Sequence, residues 1–174
     1  MNVKYKFVWT ADCSLIDRAE KFKSIEKIAR RIMNKPIIIW SPDKKRRANL
    51  TYLGKSHSGH DYFSLSIDGN PFSLEHRIFG SVCLWSLDSR FLSVQEWKNN
   101  DPDSGPKSYL LMIFDLLARR ECVVSEVEGA KSQIIPEGFI GESLMYTVIH
   151  DGQFGTTRNF ESKFQYLNGW QTLK

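Results

Sequence analysis

At 174 residues, with 41% hydrophobic and 25% charged side chains, the chain has ordinary globular composition and enough length to bury one core. No apolar run approaches the roughly 20 residues needed to cross a bilayer, and the stretch Met-Asn-Val-Lys-Tyr-Lys-Phe lacks the apolar segment of a secretory signal. The formal charge of +4 hides an asymmetry. Residues 1–60 hold 14 Lys/Arg against 5 Asp/Glu, whereas residues 61–174 hold 10 against 15, so the two parts are expected to present opposite potentials.

Val3 to Trp9 alternates Val, Tyr and Phe with Lys and reads as a strand. From Ser14 to Met33 the rhythm changes. Leu15, Ile16, Ala19, Phe22, Ile25, Ile28, Ala29, Ile32 and Met33 recur at three or four residues, which predicts an amphipathic helix stopped by Asn34-Lys35-Pro36. The rest predicts short strands and turns, as expected of a chain with 13% aromatic residues. A first group is Ile37–Trp40, Asn49–Leu53, Tyr62–Ile67 and Pro71–Leu74. A second is Ile78–Trp85, Phe91–Trp97, Tyr109–Phe114 and Cys122–Val127. A third is Gln133–Ile140, Leu144–Ile149 and two short pieces between Phe154 and Leu167.

The groups repeat. Trp40-Ser41-Pro42-Asp43 lines up with Trp85-Ser86-Leu87-Asp88 at an offset of 45 residues, which predicts equivalent turns at Asp43 and Asp88. "LWSLDSRFLSVQEW", followed by "YLLMIFDLLARREC", resembles one blade of a β-propeller of the WD or periplasmic type. In such blades a Ser-Pro-Asp-like turn and a second strand precede a hydrophobic-Phe-Asp strand. That resemblance covers roughly residues 37–150 and implies an incomplete, propeller-like array of antiparallel four-stranded units at 36–76, 77–128 and 129–170. The strand and helix of residues 1–35 would complete a single mainly β domain over 1–174. Three units are fewer than a closed propeller needs, so an open end must be capped, paired or used.

Chemistry-bearing clusters are few. His57-Ser58-Gly59-His60-Asp61 has ligand types that suit zinc or acid/base work, and it reads equally as a polar hairpin loop. Cys13, Cys83 and Cys122 form no CxxC pair, so reduced thiols in a cytoplasm are expected. Cys122 follows Arg119 and Arg120, whose charge favours a thiolate, although strand packing explains it as well. GxSxG, P-loop and GxGxxG patterns are absent, and the expectation is a non-enzymatic chain with no cofactor and no metal.

Binding features are richer. The loop Lys98–Lys107 carries Asn99, Asn100, Asp101 and Asp103 after Glu96 and Trp97, and Glu121, Glu126 and Glu128 follow in the same unit. Together these are the expected partner-binding residues, with Trp97 as an aromatic anchor. Lys44, Lys45, Arg46 and Arg47 form the alternative, a phosphate-gripping run near Trp40 and Tyr52. In architecture the chain resembles small bacterial immunity proteins, in particular those paired with toxins of contact-dependent growth inhibition and other polymorphic systems. That resemblance implies stoichiometric occlusion of a cognate protein toxin, a nuclease being one choice, in the cytoplasm and without a membrane. Three rivals stand beside it: a nucleic-acid-binding module, a His-dependent hydrolase, and a scaffold that assembles with itself through an exposed blade.

Overall fold

Eleven short strands run almost without interruption through the computed structural model, which describes residues 35–69, 73–99, 101–129, 131–150 and 155–173. The expected strand Val3–Trp9, the expected helix Ser14–Met33 and Asn100 lie outside the described residues. The strands are β1 (Ile37–Trp40), β2 (Arg47–Lys55), β3 (Asp61–Ile67), β4 (Phe79–Trp85), β5 (Phe91–Trp97), β6 (Ser108–Asp115), β7 (Arg120–Glu128), β8 (Ser132–Ile140), β9 (Ser143–His150), β10 (Thr156–Lys163) and β11 (Gln171–Thr172). A single 3₁₀ turn, Phe164–Tyr166, precedes β11. The described fold is mainly β, and every ladder is antiparallel.

The strands assemble into one eight-stranded sheet, ordered β1-β2-β3-β4-β5-β6-β7-β11, and one three-stranded sheet, ordered β10-β9-β8. This differs from separate four-stranded units. The two expected groups are continuous through β3 and β4, which share the single register pair Phe63↔Phe79. Ser73 and Leu74, expected in a fourth strand, are not in a strand, and Leu74 is buried in the core. The third group has one strand, β10, where two short pieces were expected.

Burial follows the pleat. In β2 and β3, Ala48, Leu50, Phe63, Leu65 and Ile67 point to one face and pack with Leu92, Val94, Met112 and Phe114 from β5 and β6. The long sheet therefore folds over on itself. The opposite face of β5 and β6 presents Trp97, Tyr109 and Leu111 to Ile134, Leu144, Tyr146 and Val148 of the small sheet. Strands β5 and β6 are thus buried on both sides, which explains the nearly continuous apolar run YLLMIF in β6. Burying each large apolar side chain contributes about 1.5–3 kcal/mol before conformational entropy is counted.

The predicted turn equivalence is present atom for atom. The backbone N–H of Ser41 donates to Arg46 O at 3.0 Å, and that of Ser86 donates to Phe91 O at 2.9 Å. Each serine Oγ accepts from the residue five places on, Arg46 N at 3.0 Å and Phe91 N at 2.8 Å, and donates to the aspartate two places on. Asp43 and Asp88 in turn accept from Lys45 N and Arg90 N, both at 3.1 Å. Lys44 and Ser89 occupy the same left-handed position, at φ 60° and 61°. The two turns also touch. Asp43 N donates to Ser89 Oγ at 3.0 Å, and the Trp85 indole N–H donates to Ile39 O at 3.0 Å.

Candidate partner-binding surface

The loop after β5 is built by its own polar side chains. Asn99 Nδ2 donates to Gly105 O at 2.9 Å while its Oδ1 accepts from Lys107 N at 3.1 Å, so one amide spans the loop neck. Asp101 Oδ1 accepts from Asp103 N at 3.0 Å, the geometry of an Asx turn. Bonds from Ser104 and from the Asp103 amide hold the Asp101 carboxyl below its ordinary value, so it stays ionised. Gly105, at φ 70°, lies against Ser58, where a Cβ would collide with the serine hydroxyl. His57 Nδ1 meets Asp103 O at 3.2 Å and completes the contact between the loop and the turn after β2.

Five of the expected residues gather here, with Asn99 at the loop neck. Asp101 and Asp103 are exposed on the loop, and Glu126 and Glu128 are exposed at the adjoining end of β7. The loop base is tied to that end, since Gly129 N donates to Lys107 O at 3.0 Å and Ser108 pairs with Glu128. Lys98 Nζ bonds Glu126 Oε1 at 2.7 Å, which depresses the glutamate and raises the lysine. Such a solvated pair adds little stability and leaves the region predominantly negative.

Trp97, Glu96 and Glu121, the other described residues of the expected set, are drawn into the interior. Trp97 is 1% exposed and packs among Tyr62, Tyr109 and Val127, so it supports the loop from beneath and has no face to offer a partner. The sequence marks Trp97 as an anchor for a partner, whereas residues of β8 and β9 pack in the same cluster and cover it, a tertiary fact that local sequence does not carry. Glu96 and Glu121 clamp Arg77, whose Nε lies 2.8 Å from Glu96 Oε1 and whose Nη1 lies 2.7 Å from Glu121 Oε2. Burial raises the Glu96 carboxyl more than the guanidinium lowers it. The Arg77 guanidinium also sits over the Phe79 and Phe114 rings.

The basic run is divided as well. Arg47 pairs with Asp68 and lies 5.2 Å from the Trp40 ring centroid, and Arg46 Nη1 donates to Ser89 O at 3.2 Å. Lys44 and Lys45 are exposed on the turn. The two imidazoles of the His57–Asp61 stretch take different partners, His57 as above and His60 through Tyr109 Oη at 3.0 Å. Burial pushes the Tyr109 phenol up to about 12. Among the described residues no group of three His, Cys, Asp or Glu is placed to hold a metal ion. Burial raises the Cys122 thiol despite the opposing charge of Arg120, and its Sγ lies 3.1 Å from Asn168 O.

One polar cluster escaped the sequence reading. Asp115, fully buried at the end of β6, accepts from Arg90 Nε at 3.0 Å, Arg90 Nη2 at 2.7 Å, Arg120 Nε at 3.3 Å and Ala118 N at 3.1 Å. Burial works to raise its carboxyl, but these bonds outweigh burial and hold it below the ordinary value. The signal available was an acid ending the apolar run "YLLMIF". The two arginines border a cleft of about 460 Å³ with Phe91, Phe139, Phe164 and Trp170, and Arg120 stacks 4.3 Å from the Trp170 ring. Asp88 and Glu142 line the same cleft, so with Asp115 three carboxyl groups surround the two guanidiniums.

Fold and surface together define a mainly β protein with four exposed carboxylates on the β5–β6 loop and the adjoining end of β7. Comparison with protein families, with curated proteins and with solved structures returns no match. No helix of the described residues is long and apolar enough to cross a membrane.

Proposed function

We propose that this chain is a non-enzymatic immunity protein that acts in the cytoplasm and neutralises a cognate bacterial toxin by covering its active site. What supports the reading is the grouping of Asp101, Asp103, Glu126 and Glu128 at one end of β5–β7, on a loop ordered by Asn99 and braced by Trp97. A nuclease must keep a positive cleft to hold phosphates. Exposed carboxylates in this grouping match such a cleft in charge, steer the encounter and exclude nucleic acid once seated. In the same proposal the β4–β7 group is a blade-like unit, and its interstrand loop is the business end.

The test is co-expression. Cells producing the toxin domain encoded next to this chain should survive when the chain is present, and the purified pair should form a one-to-one complex that no longer cleaves RNA or DNA. Survival without complex formation would contradict occlusion. A second reading has its own observation in its favour. Trp40, 47% exposed, with Arg47 stacked on it and Lys44 and Lys45 exposed nearby, has the makings of a stacking and phosphate platform for single-stranded nucleic acid.

A further inference from the structure

Among the described residues four strands end the two sheets, and three of them are short or broken. β1 has four residues and β11 two, too short to template another chain. β8 carries Pro136 and a register break between Pro136 and Gly138. Among the described residues β10 is neither short nor broken, and Arg158, Glu161 and Lys163 alone put charge along it. It runs eight residues, Thr156 to Lys163, in eight uninterrupted register pairs with β9 and contains neither Pro nor Gly. Seven of its eight residues are exposed.

We infer that β10 pairs with β10 of a second copy, antiparallel across a two-fold axis, and joins the two small sheets into one of six strands. A two-fold axis normal to a sheet keeps each face on its own side, so every residue must oppose one of the same parity. Among those registers, the one centred on Asn159 sets Asn159 against its own copy. It also places Arg158 opposite Phe160, Thr157 opposite Glu161 and Thr156 opposite Ser162. No like charges meet. Centring on Arg158 or Glu161 would oppose identical charges, which destabilises a ladder. Centring on Phe160 would leave Arg158 against Ser162 and give the guanidinium no ring. Among the described residues arginine already lies over an aromatic ring five times, three of them phenylalanine, as with Arg90 over Phe91 at 4.7 Å. Phe160 shares a face of β10 with Arg158, and on that face its ring stacks on Tyr146 of β9 at 5.4 Å.

The charges decide the test. In sedimentation equilibrium the full chain should weigh as two copies. Phe160→Lys should weaken the dimer about tenfold by opposing Arg158 of the other copy, whereas Phe160→Glu should hold it by pairing with the same arginine. Both variants lose the same ring packing, so a purely structural effect would move them together. Asn159→Cys should crosslink under mild oxidation, because opposed Cα atoms lie about 4.5–5.5 Å apart, within disulfide reach. Thr157→Cys should not, since its copy lies four residues along, about 13 Å away. A chain that remains single at its highest soluble concentration overturns the inference. So does a dimer indifferent to the Lys/Glu exchange and silent to Asn159→Cys, and a β10 that pairs only with a foreign strand would appear as that single chain.

Discussion

Trp40 and Trp85 hold the same place before the same turn, yet one is 47% exposed at a sheet edge and the other is half-buried and bonds the Ile39 carbonyl. The difference extends to their groups. β1 is largely exposed, whereas β5 and β6 are buried on both faces between the folded-over sheet and β8. A repeated Ser-x-Asp pattern thus specifies the turn, and position in the sheet decides what the flanking residues do. In the first turn Lys44 and Lys45 face water. In the second, Arg90 is drawn into the Asp115 cluster.

The contrast can be broken most sharply at the aromatics. Trp97→Ala removes a fully covered side chain and should cost about 3–5 kcal/mol in chemical denaturation, whereas Trp40→Ala should cost about 1 kcal/mol or less. Equal losses would erase the distinction between the groups.

Next comes the buried carboxylate. Asp115→Asn should cost about 2–3 kcal/mol, less than a wholly buried pair, because Arg90 and Arg120 keep 37% and 40% of their side-chain surface in water. Since the folded carboxyl is held below its ordinary value, its stabilisation is complete above about pH 4 and is lost as pH falls through the folded value. The variant should therefore show a shallower loss of stability in acid than the parent chain. An unchanged acid limb would mean that Asp115 does not carry this coupling.

The turns themselves should respond alike. Ser41→Ala and Ser86→Ala each remove an acceptor for a backbone N–H at a buried serine, at a cost of about 1–2 kcal/mol. Because Ser89 Oγ links the turns through Asp43 N, Ser89→Ala should weaken each slightly, and the double variants should be non-additive. Additive losses would show two independent turns.

These contrasts also mark what was legible beforehand. Phe91–Trp97 was read to its bounds because apolar periodicity and the Ser-x-Asp turn coincide there. β11 was not legible, since two residues carry no period, yet it pairs with β7 and brings Leu173 into the core. The acidic grouping was half legible. The loop residues lie close in sequence to Trp97 and Glu96, but whether each faces water depends on β8 and on Arg77, partners distant along the chain.

The exposed carboxylates of the β5–β6 loop and the β7 end are the claim on which the proposed function rests, and association kinetics with the proposed toxin partner test it directly. Asp101→Lys with Asp103→Lys should slow association strongly at low salt and less at high salt, while Lys44→Glu with Lys45→Glu should leave the rate nearly unchanged. The opposite pattern, with the lysine pair governing binding and the aspartate pair silent, would contradict the account.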